Sequence, residues 1–361
     1  MTNGGAPGPS TSREVWHMKA LVVEKPGTLV VRDVTEPPMG EYEARCEMLY
    51  GATCTATDLA VIDGRVGWEK LEYPLIIGHE SIGRVVEVGG KVRNYRVGDL
   101  VARVYTRETD GLRLAWGGMA EYGLALDWKA MQADGVPREK WDYYRVNQVI
   151  PEGVIDPMDA TMIITWRENL SWVNRMGVSA GERVLVVGSG GNGMSIAACC
   201  AVKGAHVTLV GNASRREAVL STGVESFVDY RDGAALAGFV GENSRALDYI
   251  IDATGKKETL TPYMPALREG GTAALYGMSD FTNYTIGPTA GPKYFRFFNS
   301  YAGIYDEAET HDEVIDLIRA GRLRADAWLD RENIFTWDNA PEAYEHVRNK
   351  RAVKAIIKLS R

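Results

Sequence analysis

The chain has 361 residues, 45% of them hydrophobic and 25% charged, with a formal net charge of −7. That length favours two domains with sizeable cores, and a mildly acidic balance without a long basic run excludes a nucleic-acid footprint. No apolar stretch reaches the length of a membrane span and no signal-peptide core precedes the first strand, while four cysteines (Cys46, Cys54, Cys199, Cys200) without framework spacing point to a reducing cytoplasm.

Residues 1–17 are rich in Gly, Pro, Ser and Thr and are expected to form a disordered tail. From residue 18 to about 160, short β-rich runs at 19–24, 28–33, 44–50, 81–88 and 100–104 alternate with Gly/Pro turns. That pattern predicts a β-barrel-like domain. A helix is expected over 159–176. From residue 184 the alternation becomes regular. Strands are predicted at 184–187, 206–210, 226–229, 248–252, 272–276 and 300–304, with helices at 194–203, 233–240, 256–267 and 310–320. This is the pattern of an α/β doubly wound parallel sheet. A helix at 340–349 and a strand at 354–358 are left over once that sheet is complete, and they are assigned back to the first domain. The expected division is therefore 18–160 with 325–361, and 161–324.

The stretch around which the second domain is built is RVLVVGSGGNGM, beginning at Arg183. A buried strand runs straight into Gly188-Ser189-Gly190-Gly191-Asn192-Gly193 and then into a helix of small residues. Gly188 permits the tight turn, Gly190 lets the backbone approach a pyrophosphate, and Gly193 lets helix and strand pack closely. The helix N-terminus beyond Gly191 and Asn192 favours an anion. The next strand ends in Gly211-Asn212-Ala213-Ser214-Arg215-Arg216, with no carboxylate before Glu217. An acid at that place binds the ribose 2′-OH of NAD and repels a 2′-phosphate. Its absence beside two arginines predicts NADP, with Asn212, Ser214 and Arg215 on the phosphate and Arg216 in reserve. The same residues also read as an exposed helix start capped by Ser214.

In the first domain Gly78-His79-Glu80 opens the run GHESIGRVVEVGGKV. Cys54-Thr55-Ala56-Thr57-Asp58 stands upstream. Gly117-Gly118-Met119-Ala120-Glu121-Tyr122 and Ile150-Pro151-Glu152-Gly153 follow downstream. These residues resemble the medium-chain dehydrogenase/reductase family, in its zinc-type alcohol and polyol dehydrogenase branch, over residues 18–361. Ala253-Thr254-Gly255 and Glu269-Gly270-Gly271 fit the same resemblance. It implies a GroES-like β-barrel catalytic domain, a Rossmann domain, an active site in the cleft between them, one catalytic zinc and a homodimer or homotetramer. It also implies that His79 is a zinc ligand, that Asp58 holds its other ring nitrogen, and that the Thr57 hydroxyl starts proton transfer.

Two places depart from the family pattern. The cysteine ligand of the family stands three residues before the Asp, where this chain has Thr55; Cys54 stands four before it. Either a local bulge brings Cys54 into position or the thiolate ligand has been lost. For the third ligand, Glu168-Asn169-Leu170-Ser171 resembles the polyol dehydrogenase Glu-Pro-Leu-Ser but lies one helical turn nearer to Gly177. The family spacing selects Ile164, which has no donor. Glu80 is the other candidate. Ala60 stands where many relatives carry a relay histidine. Residues 103–116 contain no cysteine, so no structural zinc is expected.

Trp68, Trp116, Trp166 and Trp172 are placed either along the substrate cleft or in the domain core, and Asp63 and Glu121 are candidate hydroxyl partners. The charged loop 134–144 covers the site or forms a subunit contact. The leading expectation is an NADP-dependent, zinc-assisted alcohol dehydrogenase or carbonyl reductase acting on a polyol, sugar-like or natural-product substrate. A zinc-free NADPH-dependent reductase of an activated C=C or iminium is the alternative, and a non-catalytic NADPH-binding protein is a third.

Overall fold

The computed structural model describes residues 16–67, 70–279, 283–299 and 306–361. Its first part runs β1 (His17–Lys25), β2 (Thr28–Thr35), β3 (Glu43–Ala52), α1 (Thr57–Asp63), β4 (Leu75–Ile76), β5 (Ser81–Val88), β6 (Leu100–Ala102), β7 (Arg113–Leu114), β8 (Tyr122–Leu126), α2 (Trp128–Ala133) and β9 (Gln148–Ile150). Then come α3 (Met162–Met176), β10 (Arg183–Val187), α4 (Gly191–Val202), β11 (His206–Gly211), α5 (Arg216–Leu220), β12 (Ser226–Asp229), α6 (Gly233–Glu242), β13 (Leu247–Asp252), β14 (Leu267–Leu275), β15 (Arg296–Phe298) and α7 (His311–Arg319). The chain ends with β16 (Leu329–Phe335), α8 (Ala340–Arg348) and β17 (Lys354–Lys358).

Strand β1 is buried on both faces. Met18, Ala20 and Val22 enter one apolar cluster, while Leu21 and Val23 enter another. Alternate side chains of a strand point to opposite faces, so β1 separates two cores. It lies in a four-stranded sheet ordered β2-β1-β4-β7. A second sheet, ordered β16-β17-β3-β5-β6-β9, has β8 paired onto β3. Strand β17 returns to this sheet and pairs antiparallel with β3, Ile356 opposite Ala52.

The third sheet has six strands in the order β12-β11-β10-β13-β14-β15, and every pairing in it is parallel. In chain order that is 3-2-1-4-5-6, the doubly wound arrangement in which a ligand crevice opens beyond the strand ends where the order reverses, between β10 and β13. Helix α3 joins the two parts. Its Trp166 and Leu170 share one cluster with Ile82 of β5 and with Val184 and Val186 of β10.

One expectation changes here. The helix expected at 256–267 is a turn followed by a 3-10 segment, Thr261–Ala266. Pro262 and Pro265 each remove a backbone N–H that a continuous α-helix would use. The strand expected at 300–304 and most of the tail expected at 1–17 lie outside the described residues, although His17 already belongs to β1. Trp166 and Trp172 are core residues, 0% and 2% exposed, and Trp68 lies outside the described residues.

Candidate active site

The turn between β3 and α1 positions the first site residues. Thr53 is tied to β17, its N–H donating to the Ala355 carbonyl and its Oγ1 accepting from the Ala355 N–H, both at 3.0 Å. The next N–H, that of Cys54, donates to Asp58 Oδ2 at 3.0 Å. This carboxylate folds the turn back on the first turn of α1. Cys54 is thereby directed inward, 5% exposed, whereas Thr55 lines the cofactor cleft described below.

His79 sits in the link between β4 and β5. Gly78 before it has φ +98°, and a Cβ there would meet Met119 Cγ at 2.3 Å. Only glycine lets the backbone turn in the left-handed region so close to Met119. His79 and Glu80 are then buried at 5% and 2% exposure. The ligand atoms of Cys54, His79 and Glu80 all lie within 4.8 Å of one another. Among the described residues no other group of cysteine, histidine and carboxylate atoms converges in this way.

Asp58 Oδ1 lies 3.1 Å from His79 Nδ1, an ion-pair approach that leaves Nε2 facing Glu80 Oε1 at 3.9 Å. Tyr344 of α8 donates its hydroxyl to Asp58 Oδ2 at 3.3 Å. Burial opposes a proton on His79, but the negative charges at Asp58 and Cys54 outweigh it and hold the imidazole well above its usual range. The His79 ring packs on Trp116, centroids 4.9 Å apart.

Glu80 uses both oxygens. Oε1 accepts from Thr165 Oγ1 at 3.1 Å, and Oε2 pairs with Lys354 Nζ, a lysine only 2% exposed. Burial lowers the affinity of Lys354 for its proton, and the charges of Glu80 and Cys54 more than restore it. Thr165 also shows which face of α3 meets the cluster. Glu168 is three residues further along, about 4.5 Å along the axis, and its Oε1 accepts instead from Tyr276 at 3.2 Å. The structure therefore does not bring Glu168 to the cluster. Ile164, where the family spacing pointed, is fully buried.

The donor set fits a zinc ion. Sulfur, imidazole nitrogen and carboxylate oxygen are its usual ligands, three protein ligands leave one position for substrate, and a carboxylate on the far ring nitrogen orients the imidazole.

Beside this cluster a cleft of about 710 Å³ runs between the six-stranded sheet and α8. Gly188, Ser189 and Gly190 form one wall, and Lys350 and Val353 the other. Gly188 has φ +122°, and a Cβ on Gly193 would stand 2.0 Å from the Gly188 carbonyl oxygen, so α4 rests directly on the turn. Gly191 and Asn192 begin α4, and Asn192 Oδ1 accepts from Asn169 of α3 at 3.2 Å. The Asn212 N–H donates to Ser189 Oγ at 3.0 Å, and its Oδ1 accepts from the Ser214 N–H. Asn212, Ser214 and Arg215 all line the cleft. Arg216 does not: its Nη2 donates to the Phe227 carbonyl and its guanidinium lies 5.1 Å over the Phe227 ring. Thr57 is the first residue of α1, half-buried.

Asp63 and Glu121 are engaged within the protein. Asp63 takes two bonds from Arg348, at 2.8 and 3.0 Å, and Glu121 accepts from the Lys19 N–H and from Arg361. Neither offers a free carboxylate to a ligand. Lys354, Thr165 and Tyr344 were missed from sequence. Lys354 left a trace, as a single charge inside the apolar run AVKAII; Tyr344 left none.

Comparison with known proteins points to the same fold and family. The family model of the alcohol dehydrogenase GroES-like domain matches residues 40–135, and that of the zinc-binding dehydrogenases matches residues 191–318. D-arabinitol dehydrogenase 1 of Uromyces fabae is 23% identical over 352 residues, covering 94% of this chain and 97% of its own. A protein of Sinorhizobium meliloti 1021 described as a zinc-binding dehydrogenase and bound to NADP superposes with a TM-score of 0.76 at 22% identity, over 95% of this chain and 99% of its own. An alcohol dehydrogenase of Escherichia coli CFT073 complexed with NADH does so with a TM-score of 0.75 at 21% identity, over the same shares. Among the described residues no helix is long and apolar enough to cross a membrane.

Proposed function

We propose, for a chain that belongs to the medium-chain zinc-type alcohol and polyol dehydrogenase family, that it moves a hydride between NADP and the carbinol or carbonyl carbon of a small hydroxylated substrate, with zinc held by Cys54, His79 and Glu80. The observation that carries this is the convergence of those three buried ligand atoms within 4.8 Å beside the cofactor cleft.

In the oxidative direction the substrate loses a carbinol C–H bond and its O–H bond. The hydride and its electron pair pass to C4 of the nicotinamide, converting NADP⁺ to NADPH, and the proton leaves to solvent. A bound zinc ion would supply Lewis-acid polarisation of the substrate oxygen. The chain does the rest. Asp58 fixes the His79 ring, and the Thr57 hydroxyl, at the start of α1, accepts the substrate proton while passing on its own. Ala60 offers no further relay, so the proton continues through water or the cofactor ribose. The glycine turn and the N-terminus of α4 bind the pyrophosphate.

The choice of NADP rests on the absence of an acid where β11 ends at Gly211-Asn212, and on Arg215 and Lys350, which line the cleft there. Solved structures of this fold hold either NADP or NADH, so the fold alone does not choose.

A second reading, a metal-free reductase of an activated C=C or iminium, is favoured by one observation: Glu80 is already occupied by Lys354 and Thr165. Incubation with 4-deuterated NADPH and analysis of the product separates the two. Deuterium on a carbinol carbon is the expected result. Deuterium on a carbon β to a carbonyl establishes the second reading instead.

A further inference from the structure

A second cavity, separate from the cofactor cleft, is lined by Trp116. Its volume is about 430 Å³, within the range of small-molecule sites. Val61 and Leu114 form an apolar wall, and Tyr105, Thr106, Arg107 and Trp116 are among the other lining residues. Because Trp116 packs on His79, the cavity adjoins the cluster where hydride transfer is placed.

Two features point to a ligand with a polar edge. Thr106 is 4% exposed and its Oγ1 has no hydrogen-bond partner in the protein. A buried hydroxyl without a partner is costly, so a position that keeps one invites a ligand group to complete it. Tyr105 is the second. Arg103 Nε donates to the Tyr105 hydroxyl oxygen at 2.6 Å. A guanidinium only donates, so the phenolic oxygen is the acceptor there and its own hydrogen is not used in that bond. Arg103 cannot easily swing away, since it is 6% exposed and its Nη1 pairs with the buried Glu307, which Arg167 also holds at 2.6 Å.

The backbone supports the same site. Trp116 has φ +69° and Arg103 φ +59°, conformations that large side chains rarely adopt. Strain of this kind persists where the surroundings over-determine it and gathers at ligand sites. Here Trp116 lines the cavity, and Arg103 holds the hydroxyl of Tyr105, another lining residue.

We propose that this cavity binds a ring carrying a second oxygen substituent, with its face on Trp116 and the apolar wall and its oxygen between Thr106 Oγ1 and the Tyr105 hydroxyl. The proposal rests on the dehydrogenase reading and names the substrate class as a cyclic secondary alcohol, or its ketone, oxygenated across the ring. A ring presents its C–H face to that wall and its oxygens at the edge.

The test compares kcat/KM for cyclohexane-1,4-diol, cyclohexanol and propan-2-ol in the wild type and in T106V, T106S and Y105F. The wild type should favour the diol over cyclohexanol by about fivefold or more, the scale of one or two hydrogen bonds. T106V and Y105F should collapse that ratio, and T106S, which keeps the hydroxyl, should restore it. T106V should melt no lower than the wild type, since it removes an unpartnered buried group, so a lost ratio will not reflect a lost fold. A wild type that treats diol and cyclohexanol alike, or a ratio untouched by T106V, overturns the proposal while turnover of propan-2-ol leaves the dehydrogenase reading standing. If none of the alcohols, nor the matching ketones with NADPH, exchanges hydride, the dehydrogenase reading falls and the proposal falls with it.

Discussion

At the scale of single residues, Arg215 and Arg216 show how one step along the chain divides two tasks. The short 3-10 turn Ala213–Arg215 leaves Arg215 on the cleft, whereas Arg216 opens α5 and turns back to Phe227. Charge type was readable from the sequence; which of the two faces the cleft depends on that turn. A charge-assisted hydrogen bond is worth about 1.5–3 kcal/mol. R215A should therefore weaken NADPH binding by about ten- to a hundredfold, with much less effect on NADH, and R216A should cost NADPH no more than about threefold. Fluorescence titration of both cofactors measures this, and equal losses in the two variants would remove Arg215 from the phosphate site. Cys54 carries a similar lesson. Counting residues pointed to Thr55, but the bond from the Cys54 N–H to Asp58 reshapes the turn, and only the folded backbone shows it.

At the scale of elements, α3 is the piece whose place in the chain was plain and whose role was not. A helix over 159–176 was legible from its pattern. Its buried arginine, Arg167, 0% exposed, was not, because its partner Glu307 is 140 residues away. The junction where α3 meets Asp306–Thr310 and α7 also holds His311. Its Nε2 lies 3.0 Å from the Val149 carbonyl oxygen and so carries the hydrogen, leaving Nδ1 to accept from Arg167 at 3.3 Å. Burial, and then the charge of Arg167, push this imidazole down to about 4 from 6.5. The unfolded chain therefore binds the extra proton first. The stability that goes with neutral His311 is complete above pH 6.5 and is lost as the pH falls toward 4, at up to about 1.4 kcal/mol per pH unit. Thermal melts between pH 7 and 4 should show this slope in the wild type and a shallower one in H311Q. Parallel curves would mean that His311 does not titrate as its surroundings require.

At the scale of the whole molecule, the alternation from residue 184 onward made five strands of the six-stranded sheet legible, the sixth, Arg296–Phe298, being missed, and GxGxxG marked its crevice. Adjacent residues with a shared spacing, such as Gly78-His79-Glu80, were legible too. Pairings across the chain were not. Lys354 reaches Glu80 over 274 positions, and Arg103 reaches Glu307 over 204, and no local pattern in sequence announces either. These long-range pairs bring β17 and the segment before α7 against the catalytic part, which is how two separately readable halves come to share one site. The central claim is that this shared site is a zinc centre built on the displaced Cys54 with His79 and Glu80. Its most direct test is the zinc content of protein purified without chelators, for the wild type and for C54A. The account predicts one zinc per chain in the wild type and its loss in C54A, with NADPH still bound by both. Trace zinc in the wild type, or a full complement retained by C54A, would contradict it.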